Sequence, residues 1–240
     1  MEWSDTGLVL GIRKHGETSV ILEAMTRDHG RHLGLVRGGR SRARQPMLQV
    51  GNTLDLTWRA RLDEHLGTYN AEAGTLRAAS VMADRSALNL VQTLAAHLRL
   101  LPERDPHPAL YHAAHIILEN LESPVVAGAL LVRFELRLLE ELGFGLDLTK
   151  CASTGSNDAL AYVSPKTGRA VSASAGEPWH DRLLRLPPFA VPGGVPSLTE
   201  EADVVDGLKM TGHFLARNIY EPRGMEQPIS RETFKTDLTR

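Results

Sequence analysis

The first eighty residues alternate short apolar runs with turn signals. Turns are marked by Lys14-His15-Gly16 and Asp28-His29-Gly30. The apolar runs are Gly7–Ile12, Ser19–Met25, His32–Val36, Asn52–Trp58 and Thr68–Glu72. Five short strands at near-regular spacing predict a small barrel or sandwich, and the strand count favours a five-stranded barrel.

The pattern becomes helical after about Ser80. Apolar residues then recur at a spacing near 3.6, and Pro124 and Gly143 mark the two ends of the strongest segment. The predicted helices are Arg85–Leu101, Ala109–Leu121, Val125–Leu142 and about Thr199–Tyr220. Ser197 or Thr199 is expected to cap the last of them, because two glutamates follow in the first turn.

Two segments lack either pattern. Residues from about 144 to 196 are rich in Gly, Ser and Pro, apart from Leu183–Leu186, and are predicted to form an irregular, ribbon-like insertion. The last twenty residues are polar, which is typical of a partly mobile terminus. The chain is therefore predicted to be of the α+β class, with a barrel domain over residues 1–80 and a helical domain over residues 81–240.

The charge of the chain is small overall but uneven. The net charge is −2, yet six arginines and a single acid, Asp28, lie between Thr26 and Arg44. Arginine pairs with phosphate through charge-assisted hydrogen bonds, and the glycines of this stretch let a phosphate chain approach the backbone. The stretch is predicted to contact nucleic acid. The alternative is a solvated basic loop without a ligand.

Motifs for catalysis and metal binding are absent from the sequence. No phosphate-binding loop, dinucleotide fingerprint, HExxH or GxSxG motif occurs, and His112, His115 and Cys151 lack the companions that a site needs. We therefore expect no enzymatic activity and no cofactor. The single cysteine precludes an internal disulfide, and no signal sequence or long apolar segment occurs, so a cytoplasmic location is expected.

A series of short motifs resembles the RecO family of bacterial DNA repair proteins. The series covers nearly the whole chain, and its motifs occur in the order and at the spacing of the family. It includes Trp3-Ser-Asp-Thr-Gly-Leu-Val-Leu-Gly11, Thr26-Arg-Asp-His-Gly30, Leu35-Val-Arg-Gly-Gly-Arg-Ser41, Gln49-Val-Gly51 and Phe134-Glu-Leu-Arg-Leu-Leu139. The resemblance implies an N-terminal five-stranded OB-fold barrel followed by a helical domain with an embedded ribbon-like insertion.

The resemblance also implies a non-catalytic recombination mediator, associated with the nucleoid. Such proteins bind single- and double-stranded DNA and anneal complementary strands. With RecR they help RecA load onto strands covered by single-stranded-DNA-binding protein (SSB). The residues then expected to contact DNA are Arg37, Arg40, Arg42 and Arg44, with Arg31 and either Arg13 or Lys14 as weaker members.

The insertion departs from the pattern of many relatives, which carry a four-cysteine zinc ribbon after the third helix. Here Cys151 stands alone in the first pair, and the second pair falls at Ser172 and Ala175. One thiolate cannot hold a structural zinc ion, so the insertion is expected to be zinc-free. Its expected packing residues are Tyr162, Val163, Val171 and Trp179.

The family resemblance implies a second interface in the helical domain, for the acidic and apolar C-terminal tail of SSB. Arg133 and Arg137 lie one turn apart on a predicted helix and could receive a carboxylate of that tail. The alternative is an exposed helix face on which Arg137 pairs with Glu140 or Glu141.

Two other functions remain open on the sequence alone. One is an OB-fold module that binds RNA or single strands outside recombination, because arginine–phosphate contacts do not distinguish the sugar. The other is a protein–protein adaptor whose basic loop binds an acidic partner. Strand annealing and co-purification with RecR would separate these alternatives from the mediator.

Overall fold

Five strands close into a barrel in the computed structural model, which describes residues 1–196 and 199–239. The strands are β1 (Glu2–His15), β2 (Ser19–Thr26), β3 (Gly30–Val36), β4 (Thr53–Arg59) and β5 (Thr68–Ala73). They follow the order β1-β2-β3-β5-β4, and β4 closes the barrel on β1. Only β3 and β5 run parallel among these neighbours. The predicted five-stranded OB-fold barrel is confirmed.

Strand β1 serves two neighbours because it is long and irregular in its middle. Residues 2–8 pair with β4 and residues 7–15 pair with β2, with a register shift in the β2 pairing between Val9 and Gly11. A bulge of this kind bends a strand and increases its twist, which a small closed barrel needs. The barrel interior is filled by alternating side chains such as Leu22, Leu56 and Trp58, each at most 1% exposed.

One end of the barrel, here called the lower end, is closed by aromatic rings. It contains the N-terminus, the β2–β3 turn and the β4–β5 loop. The inward side chains of Trp3, Trp58 and Tyr69 meet there, with 5.7 Å between the two indole centroids. His32 packs edge-on against Trp58 at 5.0 Å. Burial, and secondly the positive charge of Arg104, lower the pKa of His32 to about 4.

The neutral state of His32 predicts a pH-dependent stability. Its pKa is lower in the folded than in the unfolded chain, so the unfolded chain takes up the extra proton as the pH falls from about 6.5 toward 4. The free energy of unfolding is expected to fall in this window by up to about 1.4 kcal/mol per pH unit. Urea unfolding at pH 7 and pH 5 measures the effect. H32Q should flatten the dependence, whereas H65Q, at an exposed site, should not.

The barrel belongs to a compact unit, Met1–Leu118, called the N-terminal unit. Three helices follow the barrel: α1 (Ala78–Ala83), α2 (Arg85–Leu98) and α3 (Pro108–Glu119). Helix α2 begins where Asp84 Oδ1 accepts a hydrogen bond from the Ala87 amide at 2.7 Å. The predicted helices at these positions are confirmed to within three residues at each end, and α1 was not predicted as a separate helix.

The second compact unit, Glu119–Arg240, is called the C-terminal unit. Its helices are α4 (Pro124–Glu141), a four-residue α5 (Ala173–Gly176), α6 (Glu201–Leu215) and α7 (Ile229–Asp237). Helix α6 continues into a π-helical segment, Ala216–Tyr220, so the predicted last helix is confirmed in extent. Its N-cap is Glu200, without a side-chain capping bond, rather than Thr199; Ser197 lies outside the described residues.

Helix α7 contradicts the expectation of a partly mobile terminus. Phe234 is fully buried, and Arg231 is 1% exposed. The Arg231 guanidinium donates two hydrogen bonds to the Glu135 carboxylate of α4, at 2.7 and 2.9 Å, and a third to Leu208 O of α6 at 2.6 Å. A buried ion pair therefore holds the polar C-terminal segment against α4 and α6.

The insertion is more regular than predicted. It contains a small antiparallel sheet of β6 (Leu160–Val163), β7 (Ala170–Ser172) and β8 (Leu184–Arg185), with β6 in the centre. Tyr162 and Val163 are buried as expected, and Val171 is half-buried. The expectation for Trp179 is wrong: the residue is 58% exposed, because it lies on a short 3-10 helix, Glu177–Arg182, that has no buried residue.

The residues around Cys151 do not form a zinc site. Its Sγ is buried and accepts hydrogen bonds from the backbone amides of Ser172 at 3.3 Å and Thr154 at 3.5 Å. Across residues 1–196 and 199–239, no group of three metal-ligating side chains comes together. The sulfur thus joins the two turns by hydrogen bonds, a role that in a zinc ribbon belongs to the metal and its four ligands.

Candidate nucleic-acid interface

The structure divides the arginine-rich stretch of the sequence into three parts. Arg27 lies in the β2–β3 turn at the lower end of the barrel, and Arg31 lies inside β3. The remaining arginines follow β3 on a loop at the opposite, upper end of the barrel. This segment, residues 37–44, is called the arginine loop. It carries Arg37, Arg40, Arg42 and Arg44.

Glycines and backbone hydrogen bonds fix the path of the arginine loop. Gly38 has a φ of +66°, a conformation that other residues rarely adopt. Gly39 lies so close to the core that an added Cβ would stand 2.6 Å from Val20 Cγ2. The Arg40 amide donates to Thr18 O at 3.0 Å, which ties the loop to the β1–β2 turn. The loop backbone is thus held on the barrel while its side chains extend outward.

The side chains of the arginine loop are available to an anion. Arg37, Arg40 and Arg42 are exposed, and Arg44 is half-buried. Their contacts are with backbone carbonyls: Arg40 Nη1 donates to Gly16 O at 3.0 Å, and Arg44 Nη1 donates to Arg37 O at 3.3 Å. Among residues 1–196 and 199–239, no carboxylate forms an ion pair with any of the four. A concentrated positive charge without an internal counterion is typical of a phosphate-binding surface.

Arg13 and Lys14, which were predicted as weaker DNA contacts, lie near the upper end of the barrel. The register places Lys14 opposite Val20, and Val20 opposite Val36, so the exposed Lys14 lies at the same upper end as the arginine loop. Arg13, next to it on β1, is exposed as well. Because neighbouring residues of a strand point to opposite faces, only one of these two side chains can lie on the same face as the arginine loop.

Arg31 is engaged in an internal ion pair. Its Nη1 lies 2.7 Å from Glu23 Oε1, its Nε donates to Leu101 O at 2.9 Å, and its side chain is 19% exposed. Arg99 of the segment after α2 binds the other oxygen of Glu23 at 2.9 Å. The two arginines and Glu23 connect the barrel surface to the end of α2, so Arg31 is separate from the arginine loop in both position and pairing.

The large aromatic residues of the barrel are not a stacking surface beside the arginine loop. Trp58 is fully buried and Tyr69 is 3% exposed, so both belong to the core. Trp58 Nε1 also donates to Leu66 O at 3.0 Å, which fixes the ring inside the barrel. Two rings have positions that the sequence did not indicate: Trp179 of the insertion is exposed, and His29 at the lower end is half-buried with 35% of its side chain exposed.

Arg133 and Arg137 line a groove of about 430 Å³ in the C-terminal unit. The apolar part of its wall comes from α4 and from the loops around it: Leu136, Leu146, Leu148, Val191 and Pro192. Arg137 forms ion pairs with Glu140 at 3.0 Å and Glu141 at 2.7 Å, and the Glu141 hydrogen bond raises its pKa. Arg137 thus pairs with acidic residues of its own helix, as the alternative prediction for this residue stated.

Arg133 differs from Arg137 in its contacts. It is exposed, and its Nη1 donates to Gly194 O at 3.2 Å. Its guanidinium thus keeps further donors for a ligand. The groove combines an apolar wall with Arg137, which is held by carboxylates, and Arg133, whose one partner among the described residues is a carbonyl.

An OB-fold barrel with an exposed, arginine-rich loop is typical of nucleic-acid-binding proteins. Comparison with known proteins specifies the family. Recombination protein O N terminal matches residues 1–75, and Recombination protein O C terminal matches residues 86–225. The chain belongs to the RecO family of DNA repair proteins.

Individual relatives match over almost their full length. The DNA repair protein RecO of Mesorhizobium japonicum is 58% identical over 238 residues, which cover 99% of this chain and 94% of that protein. That of Methylorubrum extorquens is 60% identical over 238 residues, covering 98% and 97%. That of Rhizobium etli is 57% identical over 234 residues, covering 98% and 91%. None of the helices in the described part of this chain is long and apolar enough to cross a membrane.

Proposed function

We propose that this protein is a recombination mediator in DNA repair, without a chemical step of its own. The observation that carries the proposal is the arginine loop: four guanidinium groups on a fixed backbone without a carboxylate partner in the described residues. DNA held there would be bound through its phosphates, so single- and double-stranded DNA would both be accepted irrespective of base sequence.

Charge neutralisation supplies the mechanism for annealing. Two DNA strands repel each other through their phosphates, and a protein that screens the phosphates while leaving the bases accessible lowers the barrier to pairing. The arginine loop fits this requirement because it offers exposed guanidinium groups to phosphates, while Trp58 and Tyr69 are buried in the core and do not stack on bases. The domain organisation we propose assigns DNA binding to residues 1–80 and partner binding to residues 81–240.

The salt dependence of DNA binding tests the proposal. Anisotropy of a fluorescent single-stranded oligonucleotide is recorded across a salt titration. Each neutralised phosphate contributes about −0.7 to the slope of log K against log salt, so three or four contacts give a slope of roughly −2 to −3. No binding at low salt would contradict the proposal and favour an adaptor whose loop binds an acidic protein. Binding without annealing would favour a single-strand or RNA module outside recombination.

The proposal extends to protein partners. We infer that the protein acts with RecR, and that together they help RecA load onto SSB-covered single strands. Support comes from family membership and from the groove of the C-terminal unit, which offers cationic and apolar groups to the acidic, apolar tail of SSB. Co-purification with RecR, and RecA loading on SSB-covered DNA with and without this protein, test the inference.

Arg133 is expected to dominate binding of an SSB-tail peptide. R133A removes a donor that no carboxylate of the described chain engages, so the affinity should fall about tenfold or more. Isothermal titration with the peptide measures the change. E140Q is the matched control on the same groove: it removes a competing carboxylate of Arg137 and should leave the affinity equal or higher. Weaker binding by E140Q than by R133A would contradict this assignment.

A further inference from the structure

A cavity of about 570 Å³ opens at the lower end of the barrel, one strand length away from the arginine loop. It lies entirely within the N-terminal unit. Trp3, His29 and His32 contribute its aromatic surface, and Glu2, Asp28 and Asp63 contribute carboxylates. Mouths of barrels with aromatic walls and a few polar groups are common ligand sites.

The aromatic surface is a preformed stack. The His29 imidazole lies parallel to the Trp3 indole, with 4.0 Å between the centroids and 7° between the planes. Trp3 in turn lies 5.7 Å from Trp58 of the core. His29 is held from behind, because its Nδ1 lies 3.1 Å from the buried Asp5 carboxylate. The imidazole retains 35% side-chain exposure and lines the cavity, so a further planar ring can extend the stack.

His32 adds a hydrogen-bond acceptor. Its Nδ1 lies 3.0 Å from Leu33 O, and a carbonyl oxygen only accepts, so Nδ1 carries the proton. The low pKa of about 4 keeps the ring neutral near pH 7, which leaves Nε2 with a free lone pair. Arg104 and the Met1 ammonium also line the cavity, and both already donate to backbone carbonyls, of Asp63 and His65 and of Ala60 respectively. The carboxylates and His32 therefore remain as acceptors for a ligand that presents N–H groups.

Charged residues at the rim of the cavity occupy two positions: carboxylates line the cavity, and arginines lie outside its lining. Glu2 and Asp28 line the cavity, and each pairs with an arginine that is not part of the lining: Arg59 at 2.8 Å from Glu2, and Arg27 at 2.8 Å from Asp28. Both arginines are more than half exposed. Inside the cavity three carboxylates face two cations, Arg104 and the Met1 ammonium, that are engaged by carbonyls, so a phosphate is disfavoured there. The two arginines outside the cavity attract a phosphate instead.

We propose that this cavity receives a single unpaired nucleobase that bears an exocyclic amino group, with the flanking phosphates outside against Arg27 and Arg59. The inference rests on the proposed DNA binding and adds a second, base-dependent contact at the opposite end of the barrel. The base stacks on the His29–Trp3 pair, and its amino group donates to the carboxylates or to His32 Nε2. The arginine loop holds the strand by charge, and the cavity holds it by a base.

Abasic DNA separates the two contacts. Binding of oligodeoxycytidine is compared with that of an abasic strand of the same length, which keeps every phosphate. Stacking of one base is worth about 5- to 150-fold in affinity, and the wild-type protein should prefer oligodeoxycytidine by a factor in this range. H29A should reduce the preference toward unity and leave the affinity for the abasic strand unchanged. H29F, which keeps a stacking ring, should retain most of the preference.

The arginine-loop variant R37A/R40A/R42A/R44A provides the complementary control. It should weaken binding of both strands equally and leave their ratio intact. Equal binding of the two strands by the wild-type protein, or an unchanged preference in H29A, would overturn the base-binding inference while leaving phosphate binding in place. Failure of both strands to bind at low salt would instead overturn the proposed DNA binding together with the inference.

Discussion

Replacing Arg231 with alanine is expected to lower the free energy of unfolding of the C-terminal unit by about 3–5 kcal/mol. The Glu135 carboxylate is 0% exposed, and Arg231 supplies two of its hydrogen bonds. Removing the guanidinium therefore leaves a buried charge without its counterion, and the carboxylate must take up a proton or admit water. The same change detaches α7 from Leu208 O. Thermal unfolding followed by circular dichroism should show a midpoint lower by roughly 10–20 °C.

Two further variants test whether the buried charge, rather than α7 itself, causes the loss. E232Q alters the exposed neighbour of Arg231 on the same helix, 3.6 Å away, and should change stability by at most about 0.5 kcal/mol. The double variant E135L/R231M removes both charges and should recover much of the loss, because apolar side chains of similar size often replace a buried ion pair without cost. A double variant as unstable as R231A would show that the polar network itself is required.

The sequence predicts the barrel well because its strands obey a simple period. Inward residues of β2 to β5 alternate with outward ones, and turn residues separate the runs. Helices α2, α3 and α4 are equally predictable from their apolar stripes and from terminal prolines such as Pro124. The strand order and the parallel contact of β3 with β5 could not be predicted, since no local pattern specifies a non-local pairing.

Helix α7 escapes sequence analysis because its buried face is partly charged. Arg231, Phe234 and Leu238 are spaced by three and four residues and are all buried, which is the stripe of an amphipathic helix. An arginine normally counts as exposed, so only Phe234 and Leu238 remain as apolar signals. The partner that allows the burial, Glu135, lies 96 residues away in the chain. A distant partner of this kind leaves no local pattern.

Partners that are distant in the sequence also limit prediction of the candidate site. The arginine-rich stretch forms one block in the sequence, but strand β3 runs through it and carries Arg31 to Glu23, a pairing set by the sheet. The arginine loop was predictable as an exposed segment because its charges and glycines end the strand pattern after Val36. The stack of Trp3 on His29 was not predictable from the sequence, because it joins the first strand to the β2–β3 turn.

Replacing Arg37, Arg40, Arg42 and Arg44 with alanine is expected to weaken binding of single-stranded DNA by about a hundred- to a thousandfold at low salt. The loss follows from the three or four counterions that the wild-type loop would release, and the salt slope should become shallower by the share of those contacts. The fold should persist, because the loop is anchored by Gly39 and by backbone bonds rather than by the guanidinium groups. Anisotropy across a salt titration measures both changes, with circular dichroism as the check on folding.

Lysine at the same four positions distinguishes charge from geometry. The quadruple lysine variant keeps four positive charges, so its salt slope should stay near that of the wild type, while loss of bidentate phosphate contacts lowers the affinity modestly. The lysine variant should therefore anneal strands about as fast as the wild type, because repulsion between strands depends on how much phosphate charge is neutralised. A folded alanine variant with wild-type affinity would place DNA elsewhere on the molecule. An annealing defect in the lysine variant would show that the guanidinium groups orient the strand as well as neutralise it.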